Sequence, residues 1–362
     1  MRQSLSILSA LLALHFGAAT LLGANPPKPG SKTAVIDPAL ADADFAIQGE
    51  YSGSANIAGR GYERVGLQVV ALGDGKFDAV RFRGGLPGGG WDQQSKVKLT
   101  GQSESGSVLL TGEDGKISLT GPVAIVQDAS GREIGRLVKV ERTSSTMGLP
   151  APAGATVLFA GQATPELPGA KLTPDGLLLA GVLTKKTVGP FRLHLEFRTP
   201  YMPYARGQAR GNSGVYIQQR YEVQILDSFG LEGIENECGG LYRQRRPDLN
   251  MCLPPLTWQT YDIWFTPPQF AADGKTKLAN AWITVLHNGV TIHNREIIAK
   301  TGGGKQEGPD RLPINLQDHG NPVTFRNIWI VDLAQPQPSA SSGSCCEPRC
   351  QRGWLRRHRR CR

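Results

Sequence analysis

Helical periodicity is the feature that this 362-residue sequence most lacks. After the first two dozen residues, no long segment repeats its apolar side chains at the 3.6-residue spacing of a helix. Short runs of Val, Ile, Leu, Tyr and Trp recur instead between Gly, Asp and Pro, and the chain holds 45 glycines and 25 prolines. Because this composition is typical of strands joined by turns, we predict an all-β protein.

A basic surface for nucleic acid is also missing from the body of the chain. The net charge is +9, but residues 345–362 hold seven arginines against one glutamate and account for +6 of it. The remainder is close to neutral, so we expect no nucleic-acid partner. Four of the six cysteines lie in the same tail at spacings that match no zinc site, and we interpret residues 334–362 as a disordered basic appendage.

The longest apolar run is confined to residues 5–22, after Arg2 and before Gly23-Ala24. This order predicts a signal peptide over residues 1–24. An uncleaved anchor is the alternative, since a spanning helix needs about 20 apolar residues. No cysteine follows the run, which argues against a lipid anchor. We therefore expect an exported protein, in the periplasm, cell envelope or extracellular space, with no stable membrane span once the signal is removed.

Composition divides the rest of the chain into two β domains. Residues 25–44 are rich in Pro, Lys, Ala and Asp and are expected to form a tether. Residues 45–143 alternate short apolar runs with GDG and EDGK turns, which predicts a small antiparallel β domain of unknown role. Pro, Gly and Ala between residues 144 and 155 predict a linker, so the second domain is expected at 156–333. The oligomeric state stays open.

One expected strand of the second domain, residues 220–227 (RYEVQILD), is unusually rich in polar groups. Glu222 and Gln224 share one face of it, because side chains alternate in a strand. Strict alternation directs Asp227 away from Glu222, whereas a bulge of one residue would bring both carboxylates to one side. Such a pair could act as acid and base on one sugar.

Glu222 is our candidate general base, because partial burial on this strand would raise its basicity. A hydrogen-bond acceptor in a sugar groove is the alternative.

Three other residues are catalytic candidates. Asp227 could equally cap the turn that follows it. Glu196 shares the polar face of its strand with His194 and could reach Glu222 from a neighbouring strand. His319 lies in a turn, where it could donate a proton, bind a metal or have a purely structural role.

Sugar recognition requires aromatic faces, amides and guanidinium groups. The candidates are Asn212, Gln218, Gln224, Tyr242, Trp258, Gln317 and Arg326. Several have structural alternatives: Trp258 suits a core, Asn212 a turn, and Arg326 a buried carboxylate. No group of ligands has diagnostic metal spacing, so a divalent cation remains an open hypothesis and no cofactor is predicted.

Cys238 and Cys252 are 14 residues apart in a turn-rich stretch. In an exported protein two such cysteines can form a disulfide, and we predict that they do. Two buried free thiols are the alternative, because the bond requires Cα atoms within about 7 Å.

Several motifs follow one another in a specific order between residues 190 and 333. They are GNSGVYIQ at 211–218, YEVQILD at 221–227, CGGLY at 238–242, LTWQTYDI at 256–263, HNGV at 287–290 and LQDHGNPVTFRNIWI at 316–330. In this order they resemble the 3-keto-disaccharide hydrolase family. The resemblance implies a concanavalin A-like jelly-roll sandwich that starts near residue 156. It does not extend to the first 150 residues.

The resemblance also implies a substrate and a reaction. A keto group at C3 of a sugar acidifies the hydrogen at C2, so a base can remove it, the oxygen at C1 can leave and water can add to the product. We therefore expect hydrolysis of 3-keto-disaccharides or 3-keto-glycosides. The E-x-Q-x-x-D spacing of Glu222, Gln224 and Asp227 is also close to the E-x-D-x-x-E strand of laminarinase-type glucanases. A lectin-like module that binds glycans without turnover is the alternative.

Overall fold

The structure is a computed structural model that describes residues 33–57 and 59–334. Strands make up 47% and helices 4% of it, so the all-β prediction is confirmed. The expected signal peptide and all but one residue of the expected tail lie outside the described residues. No helix in the described part of the chain is long and apolar enough to cross a membrane.

Eight antiparallel strands in the first half of the chain close into a barrel, in which each strand pairs with the next and the last pairs with the first. In chain order they are β1 (Gly49–Ile57), β2 (Gly61–Gly73), β3 (Lys76–Arg83), β4 (Lys96–Glu104), β5 (Ser107–Gly112), β6 (Gly115–Thr120), β7 (Val123–Gln127) and β8 (Glu133–Val140). Alternate residues such as Leu67 and Val69 of β2 and Val108 and Leu110 of β5 are buried in one cluster. The barrel interior is therefore a packed core.

The segment before the barrel is folded, which corrects the expectation of a tether for its residues 33–44. It contains a 3-10 helix (Pro38–Leu40) and α1 (Ala43–Ile47). Asp37 and Asp42 cap these helices with their side chains. Val35 pairs with Tyr201 of the second domain, and the Tyr201 hydroxyl donates to Asp42 at 2.8 Å. The helix caps and the burial of Tyr201 stabilise a folded structure here, although the composition suggested a tether.

Two antiparallel sheets form the second domain. Their strands are β9 (Thr156–Phe159), β10 (Leu178–Leu179), β11 (Val182–Leu183), β12 (Phe191–Arg198), β13 (Ser213–Ile217), β14 (Tyr221–Ile225), β15 (Gln259–Thr266), β18 (Ala281–His287), β19 (Val290–Ile298), β20 (Asn315–Leu316) and β21 (Thr324–Asp332). The larger sheet has the order β10-β21-β12-β15-β18-β19, with β9 also paired to β21. The smaller sheet has the order β11-β20-β13-β14. A separate ribbon contains β16 (Gln269–Phe270) and β17 (Lys277–Ala279), and a second 3-10 helix spans Gly207–Ala209.

The two sheets share one apolar core, and this decides which side chains face outward. Leu195 of β12 in the larger sheet and Val223 of β14 in the smaller sheet both belong to it. Since neighbouring residues of a strand point to opposite faces, Glu196 and Glu222 lie on the two opposite outer faces of the sandwich.

The dipeptide Asn288-Gly289, a strong sequence signal for a β-hairpin, forms a hairpin in the structure. It joins β18 to β19, and both residues have positive φ, 53° and 79°. Glycine and asparagine adopt this conformation most readily, which explains why the dipeptide was a reliable signal.

Residues 239–242 extend the smaller sheet beyond β14, and we call them the edge segment. The Gly239 amide donates to the Gln224 carbonyl at 2.9 Å, and the Tyr242 amide donates to the Glu222 carbonyl at 3.2 Å. Leu241 pairs with Val223 between these two bonds. The edge segment therefore brings Tyr242 beside Glu222.

Candidate active site

The outer face of the smaller sheet carries a group of polar side chains, which we call the polar face: Tyr216, Glu222, Gln224 and Gln317, arranged around Gly214. The antiparallel register places Tyr216 directly opposite Glu222, and Gly214 opposite Gln224. The Gln317 amide donates to the Gly214 carbonyl at 2.9 Å, which attaches the segment after β20 to the same row. Strand pairing alone thus assembles one carboxylate, two amides and a phenol.

Glu222 is the titratable centre of the polar face. Its side chain and backbone are 3% exposed. Burial raises the pKa of Glu222 to about 7, although a hydrogen bond from Tyr216 acts in the opposite direction. A carboxylate with a pKa near 7 can both accept and return a proton at neutral pH, as a general acid–base catalyst must.

Because Gly214 has no side chain, two oxygen atoms of the polar face pack closely over its backbone. A Cβ atom at this position would lie 2.5 Å from Glu222 Oε1 and 3.2 Å from Gln317 Oε1. Gln317 Oε1 is buried and has no hydrogen-bond partner among the described residues. A substrate hydroxyl that reaches Gln317 Oε1 could donate to it, because a buried acceptor without a partner is costly.

A network of amides holds one end of the polar face. The Asn212 side chain is buried and donates to the Gln208 carbonyl at 2.8 Å, while its backbone amide donates to Asn321 Oδ1 at 2.7 Å. In the amide orientation that satisfies its neighbours, Gln224 donates to Glu222 Oε1 at 3.1 Å and to the Ser213 carbonyl at 2.7 Å. Gln224 therefore lies on the side of Glu222, as strand alternation predicted, and Asn212 belongs to the amide network next to it.

Two other predicted residues border the polar face. Tyr242 is partly exposed beside Glu222, and the Arg243 guanidinium lies 5.5 Å from the centre of its ring. His319 is exposed in a turn that the Gly320 amide closes by donating to Asp318 at 2.8 Å. This turn directly follows Gln317, so His319 remains a candidate at the rim.

Asp227 does not form a carboxylate pair with Glu222, which corrects the first of our catalytic assignments. The β13–β14 register contains no bulge, and Asp227 lies beyond the end of β14. Its Oδ2 accepts from Arg210 Nε at 2.7 Å, and the same guanidinium reaches the Ala71 carbonyl of the barrel. Asp227 is therefore part of the contact between barrel and sandwich.

Glu196 faces the opposite side of the sandwich and cannot act with Glu222, which corrects a second assignment. It accepts from Arg326 at 2.6 Å, Asn327 at 2.9 Å and the Gly148 amide at 2.7 Å. Burial alone would raise its pKa, but these bonds and His194 together lower the pKa of Glu196 to about 2. Glu196 is a fixed anion that holds the linker to the larger sheet.

Three predicted sugar-binding residues are also engaged away from the polar face. Arg326 pairs with Glu196, and its guanidinium lies 4.1 Å from the centre of the Trp258 ring. Arg198 contacts the same ring at 5.0 Å, so Trp258 is already stacked on protein groups. Gln218 is buried and donates to the Val188 carbonyl at 2.7 Å. These contacts support the fold.

The predicted disulfide is not formed. Cys238 and Cys252 are both buried free thiols, which was the alternative. Cys238 Sγ lies 3.2 Å from the Tyr261 hydroxyl, and that hydroxyl donates to the Gln224 carbonyl at 2.7 Å. The Cys238 thiol therefore packs directly behind β14, the strand that carries Glu222 and Gln224.

Sequence reasoning missed Gly214 and Tyr216, although both lie in the GNSGVYIQ motif. Their importance depends on the β13–β14 register, which is set by a turn with Gln218 and Gln219 at φ of 51° and 52°. Glycine and asparagine usually mark such a turn, and here neither is present. The alternation of the motif itself was the available signal, because it places Gly214 and Tyr216 on one face.

Among residues 33–57 and 59–334, no three His, Cys, Asp or Glu side chains are grouped so that they could hold a metal ion. The hypothesis of a divalent cation therefore has no ligand set in this part of the chain.

Comparison with known proteins identifies the domain that carries the polar face. The family model described as a 3-keto-alpha-glucoside-1,2-lyase-like domain matches residues 162–331. The chain is 31% identical to a solved protein of Parabacteroides distasonis described as a candidate glycosyl hydrolase, over 51% of this chain and 85% of that one, with a TM-score of 0.46. A second candidate glycosyl hydrolase of that organism is 20% identical over 50% of this chain and 94% of its own, with a TM-score of 0.36. No curated protein matches the chain. The resemblance inferred from the motifs is confirmed: through residues 162–331, the chain belongs to the 3-keto-alpha-glucoside-1,2-lyase-like family.

Proposed function

We propose that this chain is an exported enzyme that cleaves the glycosidic bond of 3-keto-disaccharides or 3-keto-glycosides, with Glu222 as the group that moves the proton. One observation carries the proposal: a nearly buried carboxylate with a pKa of about 7 on a face lined by amides and tyrosines. The family match supports the substrate class. Export rests on the apolar run near the N-terminus.

Glu222 can perform both proton transfers of an elimination followed by hydration. Its carboxylate first removes the hydrogen at C2, which the C3 keto group acidifies, and the bond between C1 and the leaving oxygen breaks with its electrons on that oxygen. The leaving oxygen takes up a proton and departs as an alcohol. Water then adds at C1 of the C1–C2 double bond, and Glu222 returns a proton to C2. The net reaction is hydrolysis.

The neighbours of Glu222 suit this reaction. The Tyr216 hydroxyl donates to the Glu222 carboxylate. Once that carboxylate has taken the C2 proton, the hydroxyl can turn and donate to the C3 oxygen, where negative charge develops. Gln317 Oε1, which has no partner among the described residues, offers an acceptor for a sugar hydroxyl. The amide of Gln224 donates to Glu222 Oε1 and so fixes the orientation of the base.

A glycosidase with two carboxylates is less consistent with the geometry. Inverting and retaining enzymes place two carboxyl groups about 5 to 9.5 Å apart on either side of the bond that is cleaved. Asp227 is bound by Arg210, and Glu196 lies on the other side of the sandwich. Neither faces Glu222, so elimination from a keto sugar is the reaction that one carboxylate supports best.

The test compares the full chain with its Glu222→Gln variant on 3-keto-glucosides and on the matching unoxidised glycosides. Sugar release is followed by mass spectrometry. We expect release from keto substrates alone, and a loss of at least a hundredfold in the variant. Glu196→Gln is the matched control, because it removes a buried carboxylate on the other face and should keep full turnover.

Release from unoxidised glycosides would replace elimination by glycosidase chemistry. Glycan binding without release from either substrate would favour the lectin-like alternative.

A further inference from the structure

A cleft, which we call the junction cleft, lies between the barrel and the sandwich. Its volume is about 350 Å³, within the range of roughly 300 to 1,000 Å³ typical of ligand sites. α1, the barrel strands β1 and β8 and the loop that precedes β15 supply its walls. None of its lining residues belongs to the polar face, so it needs a separate explanation.

Gln48 supplies a buried donor to this cleft. The residue is 3% exposed, and its Oε1 accepts from the Ala71 amide at 3.0 Å, which fixes the orientation of the side-chain amide. Its Nε2 is buried and has no partner among the described residues. An unpaired buried N–H group destabilises the fold, and a ligand oxygen in the cleft would remove this penalty.

Lys139 supplies a second donor beside Gln48. Its stem lies across Gly49, where a Cβ atom would come within 2.8 Å of Lys139 Cε. Its ammonium donates to the Ala46 carbonyl, which engages one of its three N–H groups. The remaining N–H groups are available to an acceptor.

The charges that line the cleft balance one another. Glu50 is neutralised by Arg142 through two bonds of 2.6 Å, and Gln68 also donates to it at 2.9 Å. Glu141 is exposed at the rim and opposes the charge of Lys139. Two cations therefore face two carboxylates, and the cleft has no excess charge to attract an anion.

The remaining wall is apolar. It contains Phe45, Pro254, Pro255 and Leu256. A wall of this kind opposite buried donors matches the two surfaces of a sugar ring, whose C–H face is apolar and whose hydroxyl oxygens accept hydrogen bonds.

We propose that the junction cleft binds a neutral saccharide, with Gln48 and Lys139 as its donors. The barrel then contributes a glycan-binding site to the protein. The inference goes beyond the proposed function and does not depend on turnover at Glu222.

The test uses the full chain with Glu222→Gln, so that no probe is consumed, and isothermal titration with maltose, cellobiose and trehalose. Gluconate serves as the anionic comparison. Gln48→Glu keeps an acceptor for the Ala71 amide but removes the donor, and Lys139→Met keeps the stem over Gly49. We expect saturable binding of at least one neutral disaccharide, and at least tenfold weaker binding in each variant.

Two further variants make the outcome decisive. Lys76→Met removes an exposed lysine of β3 and should leave binding unchanged. Gly214→Ala perturbs the polar face and should also leave it unchanged, which separates the two sites. The proposal is overturned if no neutral probe binds, if gluconate alone binds, or if affinity survives both cleft substitutions in variants whose melting curves show a native fold.

Discussion

Tyr216 and Glu222 are direct cross-strand neighbours, with the phenol of one beside the carboxyl group of the other. Each affects the titration of its partner. Burial and the neighbouring Glu222 raise the pKa of Tyr216, and the Tyr216 hydroxyl offsets part of the rise that burial causes in Glu222. The pKa of the proposed base thus depends on a residue that strand pairing places beside it.

Tyr216→Phe should move the pH dependence of turnover. As a base, Glu222 must be ionised, so kcat/KM of the wild type should rise with pH through about 7. Without the hydroxyl, only burial acts on the carboxyl group, so the pKa of Glu222 rises further. The rising part of the plot of kcat/KM against pH should therefore shift to higher pH. Initial rates on a 3-keto-glucoside across pH 5 to 9 measure this. Tyr204→Phe, near the barrel, is the control. If the pH dependence of kcat/KM is unchanged in Tyr216→Phe, the Tyr216 hydroxyl does not affect the pKa of Glu222.

Gly214→Ala should remove turnover while the fold survives. The new Cβ atom would lie 2.5 Å from Glu222 Oε1, so the carboxylate must move away from its present position. We expect kcat/KM to fall by more than a hundredfold, since small displacements of a catalytic group are costly. Gly302→Ala is the matched control, because its Cβ atom would meet nothing within 4 Å. Equal activity of both variants would show that the close packing of Glu222 over Gly214 is not needed for turnover.

Glu196→Gln should lower stability without affecting chemistry. Although burial raises the pKa of the Glu196 carboxylate, hydrogen bonds with His194, Asn327, Arg326 and the Gly148 amide together lower it from 4.5 to about 2. Such a shift corresponds to up to about 3 kcal/mol of stability above pH 4.5, lost as the pH falls toward 2. We expect urea unfolding at pH 6 to show a loss of about 1 to 3 kcal/mol. A loss of turnover at full stability would restore Glu196 as a catalytic residue.

His194 belongs to the hydrogen-bonded group around Glu196 and adds a second pH dependence to the stability that this group provides. Although burial favours its neutral form, hydrogen bonds to Asp262 and Glu196 raise its pKa above the ordinary 6.5. Its stabilisation is therefore complete below pH 6.5 and lost as the pH rises through the folded-state pKa. With Glu196, the cluster should stabilise the fold most between pH 4.5 and 6.5. Melting temperatures of the wild type and His194→Gln across pH 4 to 9 test this, and the two curves should converge at alkaline pH.

Asp227→Asn should weaken the contact between the two domains. It removes the charge that pairs with buried Arg210 at 2.7 Å. Removing one partner of a buried ion pair costs about 3 to 5 kcal/mol, because the other charge is left uncompensated. Asp128→Asn, which breaks the surface pair with Arg132, should cost about 1 kcal/mol or less. Equal unfolding free energies of the two variants would contradict the structural role of Asp227.

Local alternation was enough to predict β12, the outward direction of Glu222 and the all-β class. The pattern could not show that Glu196 and Glu222 belong to different sheets, because this depends on strand order and not on spacing. The sequence pattern also could not show that Asp227 forms an ion pair with Arg210, which precedes it by 17 residues. Gly214 became significant only once the register placed it between Glu222 and Gln317.

The connection between barrel and sandwich has almost no free length. Arg142 is bound to Glu50 of the barrel, and the Ser144 hydroxyl lies 2.6 Å from the Thr260 hydroxyl of the larger sheet. A single residue, Thr143, separates the two attachments. A segment this short and anchored at both ends cannot act as the spacer that a long flexible linker provides. The barrel therefore cannot search for a distant glycan on a tether, and any saccharide that it holds stays beside the domain that carries Glu222.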